Sequence, residues 1–187
     1  MRRRSVVLAF AAAGLLAVAP GPAAGDSNNA SGTWQLVMEV PNVAMAPNGD
    51  TLALTGRGVF SAHPKTVTAS GTFTHDVVGG DTLTGTWTAT DLLSFEFYGC
   101  GVVPSIGATL PPGFCGGALK MRVVFMPDGT SLTLPGIITV FCVIGPQAPP
   151  THDNPTEPGE EGAIAVVPGI TNFNKIVSGM NVYIQTA

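Results

Sequence analysis

The sequence predicts an all-β protein: a single antiparallel barrel or two-sheet sandwich of about eight to ten strands. Three observations carry this. Short runs rich in Val, Thr, Ile and Phe alternate with Gly, Pro and Asp clusters throughout the chain after residue 25. Several of these runs alternate apolar and polar residues strictly, which puts one face in a core and the other in water. No stretch beyond residue 25 sustains apolar residues at the spacing of a helix face.

The first element is not part of that fold. In "MRRRSVVLAFAAAGLLAVAPGPAAGDSNN", Arg2, Arg3 and Arg4 form a charged region and Val6 to Ala19 an apolar one. Small residues follow, with Ala23 and Gly25 placed for a cut before Asp26, so residues 1–25 are expected to be a cleaved export signal. The apolar run falls short of the roughly 20 residues of a membrane helix and ends at Pro20-Gly21. Arg3-Arg4 before Ser5, Val6 and Val7 also admits a twin-arginine route. No cysteine follows the run and no apolar tail closes the chain, so a secreted, unanchored protein is expected, with residues 26–187 forming one β domain.

Of the 8 basic residues three lie in the signal, which leaves 5 against 12 acidic residues, a net charge of −7. That balance argues against nucleic acid and anionic lipid, which need clustered Lys and Arg. Hydrophobic residues make up 45% and charged ones 11%, the composition of a packed domain rather than a disordered one.

Taken in order, "TWQLVMEV" and "TLALTGRGVF" read as strands. "TVTASGTFTH" places Val67, Ala69, Gly71 and Phe73 on one face and five hydroxyl residues on the other. "TLTGTWTAT" repeats the pattern with Leu83, Gly85, Trp87 and Ala89 inward. The link "DVVGGD" is short and glycine-bearing, so these two strands form a hairpin. Pairing their apolar faces requires odd residues opposite odd, with Phe73 opposite Gly85, Gly71 opposite Trp87, Ala69 opposite Ala89 and His75 opposite Leu83. Each ring then covers a glycine on the neighbouring strand. "LLSFEFYG" turns Leu93, Phe95 and Phe97 inward, and "ALKMRVVFM" does so with Leu119, Met121, Val123 and Phe125. "GIITVFCVIG" is apolar throughout and reads as a central strand, and "AIAVVPG" and "KIVSGMNVYIQ" supply the last ones. Two long connections interrupt the series, Gly99 to Gly117 and the proline-rich, acidic Gly145 to Gly162.

Three cysteines leave one unpaired. Cys100 and Cys115 stand at the two ends of one Gly/Pro-rich loop and are expected to form a disulfide, with Cys142 a buried free thiol in "TVFCVIG". A disulfide suits the oxidising compartment that the signal implies.

Thr-His-Asp occurs twice, at His75 and His152. Adjacent strand residues face opposite sides, so His75 and Asp76 are not a preformed pair. His152 lies in the proline-rich loop, and His63 precedes Pro64. His63, His75 and His152 would be the ligands of any transition metal, but their spacing matches no metal motif, so neither metal nor other cofactor is expected. No nucleophile elbow, P-loop or paired carboxylate motif is present.

"GTFTHDVVGGDTLTGTWTATDLLSFEFYG", with "GGALKMRVVF" and "NFNKIVSG", resembles a group of exported microbial proteins of unknown function, from about Gly49 to the C-terminus. That resemblance implies a common β fold and export, with no site to carry over. "SGTWQLV" is similar to the Gly-x-Trp opening of lipocalin barrels through Gly32 and Trp34, though the arginine that covers that tryptophan has no counterpart in "IVSGMNVYIQTA". "LTGTWTAT" is similar to the opening strand of avidin-like barrels.

Two functions follow. The first is a non-enzymatic secreted domain binding an extracellular small molecule, glycan or surface partner, in a pocket lined by Trp34, Trp87, Tyr98 or His75. The alternative is a secreted enzyme of barrel-cyclase, isomerase or hydrolase type. It would use His75 in a pocket with a carboxylate from another strand.

Overall fold

The computed structural model describes residues 31–149 and 161–186; the expected signal at residues 1–25, His152 and most of the proline-rich loop lie outside them. The strands are β1 (Thr33–Met45), β2 (Thr51–Leu54), β3 (Arg57–Ser61), β4 (Thr66–Asp76), β5 (Thr82–Cys100) and β6 (Val102–Val103). They continue with β7 (Ala108–Thr109), β8 (Phe114–Pro127), β9 (Leu134–Cys142), β10 (Gly162–Val167), β11 (Thr171–Phe173) and β12 (Lys175–Gln185). The β6–β7 hairpin, with a 3₁₀ turn at Pro104–Ile106, stands apart from the main sheet.

The main sheet closes on itself. β1 pairs with β3, β3 with β4, β4 with β5, β5 with β8, β8 with β12, and β12 again with β1, every pair antiparallel. The fold is therefore a barrel rather than a sandwich. β2 and β3 are two halves of one wall, as β2 also pairs with both β1 and β4. The break at Thr55-Gly56 is held by the Trp87 indole, whose N–H donates to the Thr55 carbonyl at 2.8 Å.

The barrel is tapered. β9 pairs with β8 and β10 with β9, so this pair wedges between β8 and β12. At the narrow end the wedge is absent and β8 meets β12 directly, through Cys115–Tyr183 and Phe114–Ile184. Asn181 sits at the tip of the wedge. Its buried amide nitrogen donates to Asn42 Oδ1 (2.8 Å), the Phe141 carbonyl (2.9 Å) and the Gly162 carbonyl (3.1 Å). The backbone there cannot continue one ladder, so a side chain joins the two that split. Gly162 and Gly179 let the strands cross at this point, since a Cβ on Gly179 would stand 2.4 Å from the Gly162 Cα.

The hairpin register is the one expected from the sequence: Phe73 opposite Gly85, Gly71 opposite Trp87 and His75 opposite Leu83. This ladder stops at Ser70–Thr88, one step short of Ala69 and Ala89. Phe73 does cover Gly85, but Trp87 reaches over Gly56 rather than Gly71, whose Cβ position is blocked by the Thr55 carbonyl. Phe95 over Gly117 and Phe125 over Gly136 repeat the device, which restores the packing a strand glycine lacks.

"TLTGTWTAT" and "LLSFEFYG" form one long strand, β5. Register shifts between Ala89 and Asp91 and between Leu92 and Ser94 alter which residues face in. As a result Leu92, not Leu93, is buried along with Phe95. Leu119, Met121, Val123 and Phe125 of β8 are buried as expected.

Near the narrow end Trp34, Phe60, Phe95 and Tyr183 fill the interior. Trp34 stacks on Phe60 at 5.5 Å, and Phe95 meets Phe60 edge-on at 4.7 Å. Tyr183 donates its hydroxyl to the Val140 carbonyl. Cys100 and Cys115 face each other across β5 and β8 and form the expected disulfide. Cys142 is free and buried, its thiol donating to the Asn181 carbonyl at 3.0 Å. No helix among the described residues is long and apolar enough to cross a membrane.

Candidate functional site at the wide end of the barrel

Four hairpin turns gather at the wide end: β1–β2 (46–50), β4–β5 (77–81), β8–β9 (128–133) and β10–β11 (168–170). Among them opens an apolar cup of about 60 Å³. Leu52, Phe73, Phe125 and Phe173 come from four different strands to line it, with Leu83 and Ile170 on the rim. Leu83 follows the inward register but stands 48% exposed, because at the strand's first turn the barrel has no further layer to cover it.

His75 forms part of the cup wall. Its ring stands edge-on to Phe173 at 5.2 Å. Its Nε2 is buried, makes no aligned hydrogen bond, and lies 3.4 Å from Asp50 Oδ2. Asp76, its neighbour in sequence, points away and accepts the Thr82 hydroxyl at 2.6 Å.

Asp50 owes its position to "APNGD". The Gly49 amide bonds to the Ala46 carbonyl, the Ala46 amide to the Asp50 carbonyl, and Gly49 takes φ +91°. This is a three-residue hairpin loop ending in a left-handed glycine. It places Asp50 on the strand's first step, facing β4. There the Val78 amide donates to Oδ1 (2.9 Å) and the Asn48 amide side chain to Oδ2 (2.8 Å).

These donors hold the Asp50 carboxyl below the usual carboxylate range: the Val78 N–H first, then Asn48, against a smaller opposing effect of burial. The neighbouring imidazole adds in the same direction. Asp50 is thus a fixed anion beside the His75 ring, on its Nε2 side. The sequence offers no direct sign of this pairing, because Asp50 and His75 meet only through the β2–β4 ladder, where Leu52 pairs with His75.

A second depression, an open groove of about 310 Å³, adjoins the cup and shares Val167 and Ile170 with it. Pro47 and Thr171-Asn172 of β11 are among the residues that line it.

The remaining residues singled out in the sequence lie elsewhere. Trp34, Trp87 and Tyr98 are buried in the barrel interior or wall and line neither depression. Burial, with Glu96 adding to it, pushes the Tyr98 phenol up to about 12. His63 lies in the β3–β4 turn at the opposite end from His75, and His152 lies outside the described residues. Among the described residues no three metal-ligating side chains come together. Burial raises the Cys142 thiol far above its ordinary range, which removes its nucleophilic form.

The fold and this site define a tapered antiparallel β-barrel with a small apolar cup at its wide mouth and an imidazole–carboxylate pair in the cup wall. No family model, curated protein or solved structure matches the chain.

Proposed function

We propose that this is a non-enzymatic, exported binding protein whose site is the wide mouth of the barrel. The observation that carries the reading is the position of His75. It is the polar side chain in an otherwise apolar cup, and the Asp50 carboxylate, fixed on another turn, lies 3.4 Å from its Nε2. Such a site pairs apolar contact with one oriented polar group, the usual division of labour in small-ligand pockets. At about 60 Å³ the cup admits a short alkyl group and not a whole drug-sized ligand, so the remainder of the ligand extends along the groove. The Cys100–Cys115 disulfide and the arginine-led N-terminus support action outside the cytoplasm.

The test is an NMR titration of the ¹⁵N-labelled domain with 3-methyl-1-butanol, a branched alkyl probe. Saturable shifts should centre on Leu52, His75 and Phe173. Shifts spread over the surface, or none at the mouth, would remove this reading.

The same pair favours a second reading, an enzyme that uses His75 as a proton acceptor. A carboxylate from another element stands beside the ring, as general-base chemistry requires. Turnover of short-chain aryl esters or enolisable ketones, lost in His75→Gln while 3-methyl-1-butanol still binds, would establish it. No turnover of either class would leave the binding reading alone.

A further inference from the structure

We propose that the mouth takes an extended basic peptide as an added strand, its backbone pairing with the open edge of β11 and one aliphatic side chain filling the cup beside His75. This rests on the reading of the mouth as a binding site, and it names the partner.

The edge is the first ground. β11 pairs with β10 along one side, through Thr171, Asn172 and Phe173, and has no ladder partner on its other side among the described residues. Thr171 and Asn172 of this strand line the groove together with Pro47 of the β1–β2 turn. A bare strand edge presents alternating N–H and C=O groups, which another extended backbone satisfies and an alkyl chain does not. Among the described residues the groove is also open to solvent, and Ile170 beside it stands 51% exposed.

The cup is the second ground. It opens directly off the groove, and about 60 Å³ is the space of two waters, matching one short aliphatic side chain. Strand side chains leave the backbone on alternate sides, so a peptide lying on β11 can turn one residue into the cup while its neighbours face water.

Charge is the third. Asp76, Asp81 and Asp128 stand exposed on the turns or strand ends around the mouth, and among the described residues the base at this end is Lys175. Thr82 and Thr84 hydroxyls fix the Asp76 and Asp128 carboxylates. A field of this sign selects Lys or Arg at the solvent-facing positions of the peptide and repels acidic sequences.

The experiment titrates the ¹⁵N-labelled domain with the blocked heptapeptide Lys-Thr-Lys-Val-Lys-Thr-Lys. Three altered peptides are compared: one with N-methyl groups on alternate residues, one with Gly for Val, and one with Glu for every Lys. Expected are shifts of the Thr171–Phe173 amides and of His75, with N-methylation weakening binding about tenfold or more. The Gly peptide should leave the His75 signals unmoved, and the Glu peptide should bind at least about tenfold more weakly at low salt. An N-methylated peptide that binds within about twofold of the parent, or shifts that avoid β11, would overturn strand addition. If 3-methyl-1-butanol binds and the parent peptide does not, strand addition fails while the mouth stands as a site. If neither binds, both readings fall.

Discussion

Alanine at Gly85 tests the packing that places the mouth. Gly85 lies on β5 between Phe73 of β4 and Pro127 of β8. A Cβ there would stand 2.3 Å from the Met126 carbonyl oxygen and 2.6 Å from the Phe73 ring. The ring can tilt, but the carbonyl belongs to a strand bonded into the β5–β8 ladder. Relief to the 3.0 Å that real Cβ atoms respect requires roughly 0.7 Å of strand separation, a strain of the overpacking kind. We expect Gly85→Ala to cost about 2–3 kcal/mol, at the upper end of overpacking costs. For a domain of this size that is a fall of about 4–12 °C in Tm. The assay is urea unfolding followed by Trp fluorescence, with two companions. Phe73→Leu in the Gly85→Ala background should recover less than half of the loss, because the carbonyl remains. Gly79→Ala, at φ +70° with nothing within 4 Å, should cost only about 1 kcal/mol from its backbone conformation. A Gly85→Ala protein within about 0.5 kcal/mol of the parent would refute the reasoning, as would full recovery by Phe73→Leu.

Glu161 supplies a pH prediction. Burial first, then Glu39, push its carboxyl from 4.5 up to about 7, although the Asn181 amide it accepts at 2.8 Å pulls the other way. Because the folded value is the higher one, this group's stability is fully present below about 4.5 and is lost as pH rises to about 7, by roughly 3 kcal/mol. Denaturant melts from pH 5 to 8 should show that fall and Glu161→Gln should flatten it; an unchanged slope in the variant would contradict the assignment. Asp50 acts with the opposite sign, its contribution being lost on acidification below the ordinary carboxylate range. Cys100→Ser with Cys115→Ser should cost about 3 kcal/mol for a closed loop of 15 residues, and unreduced peptide maps should link Cys100 to Cys115 with Cys142 free. Asn181→Ala should destabilise by about 2–4 kcal/mol, as the buried side-chain amide that bonds Asn42, Phe141 and Gly162 is removed, and equilibrium unfolding measures it. Mass spectrometry of the exported protein should find Asp26 at its start, and an intact Met1–Gly25 on a soluble cytoplasmic form would sink the export reading.

Strand identity was legible because side-chain alternation is a local, period-two property. Threonines on one face and Phe73, Gly85 and Trp87 on the other were enough to set the hairpin register, since a slip of one residue would expose every apolar group. The cysteine pairing was legible because Cys100 and Cys115 stand at the two ends of one Gly/Pro-rich connection, 15 residues apart. Closure was not. It depends on β12 returning to β1 across nearly the whole sequence and on twist and taper that no short pattern encodes. The bulges of β5 hid Leu92 behind an expected Leu93, because an inserted residue reverses the alternation without marking itself in composition. The same holds for the site. His75 was visible as a residue, but Asp50 joins it only after a turn and two strands bring them together, 3.4 Å apart. Composition and alternation determined that this chain would be a β domain with one disulfide; long-range strand pairing alone decided that it is a barrel, and that one end of it holds an imidazole, a carboxylate and an open strand edge in a single place.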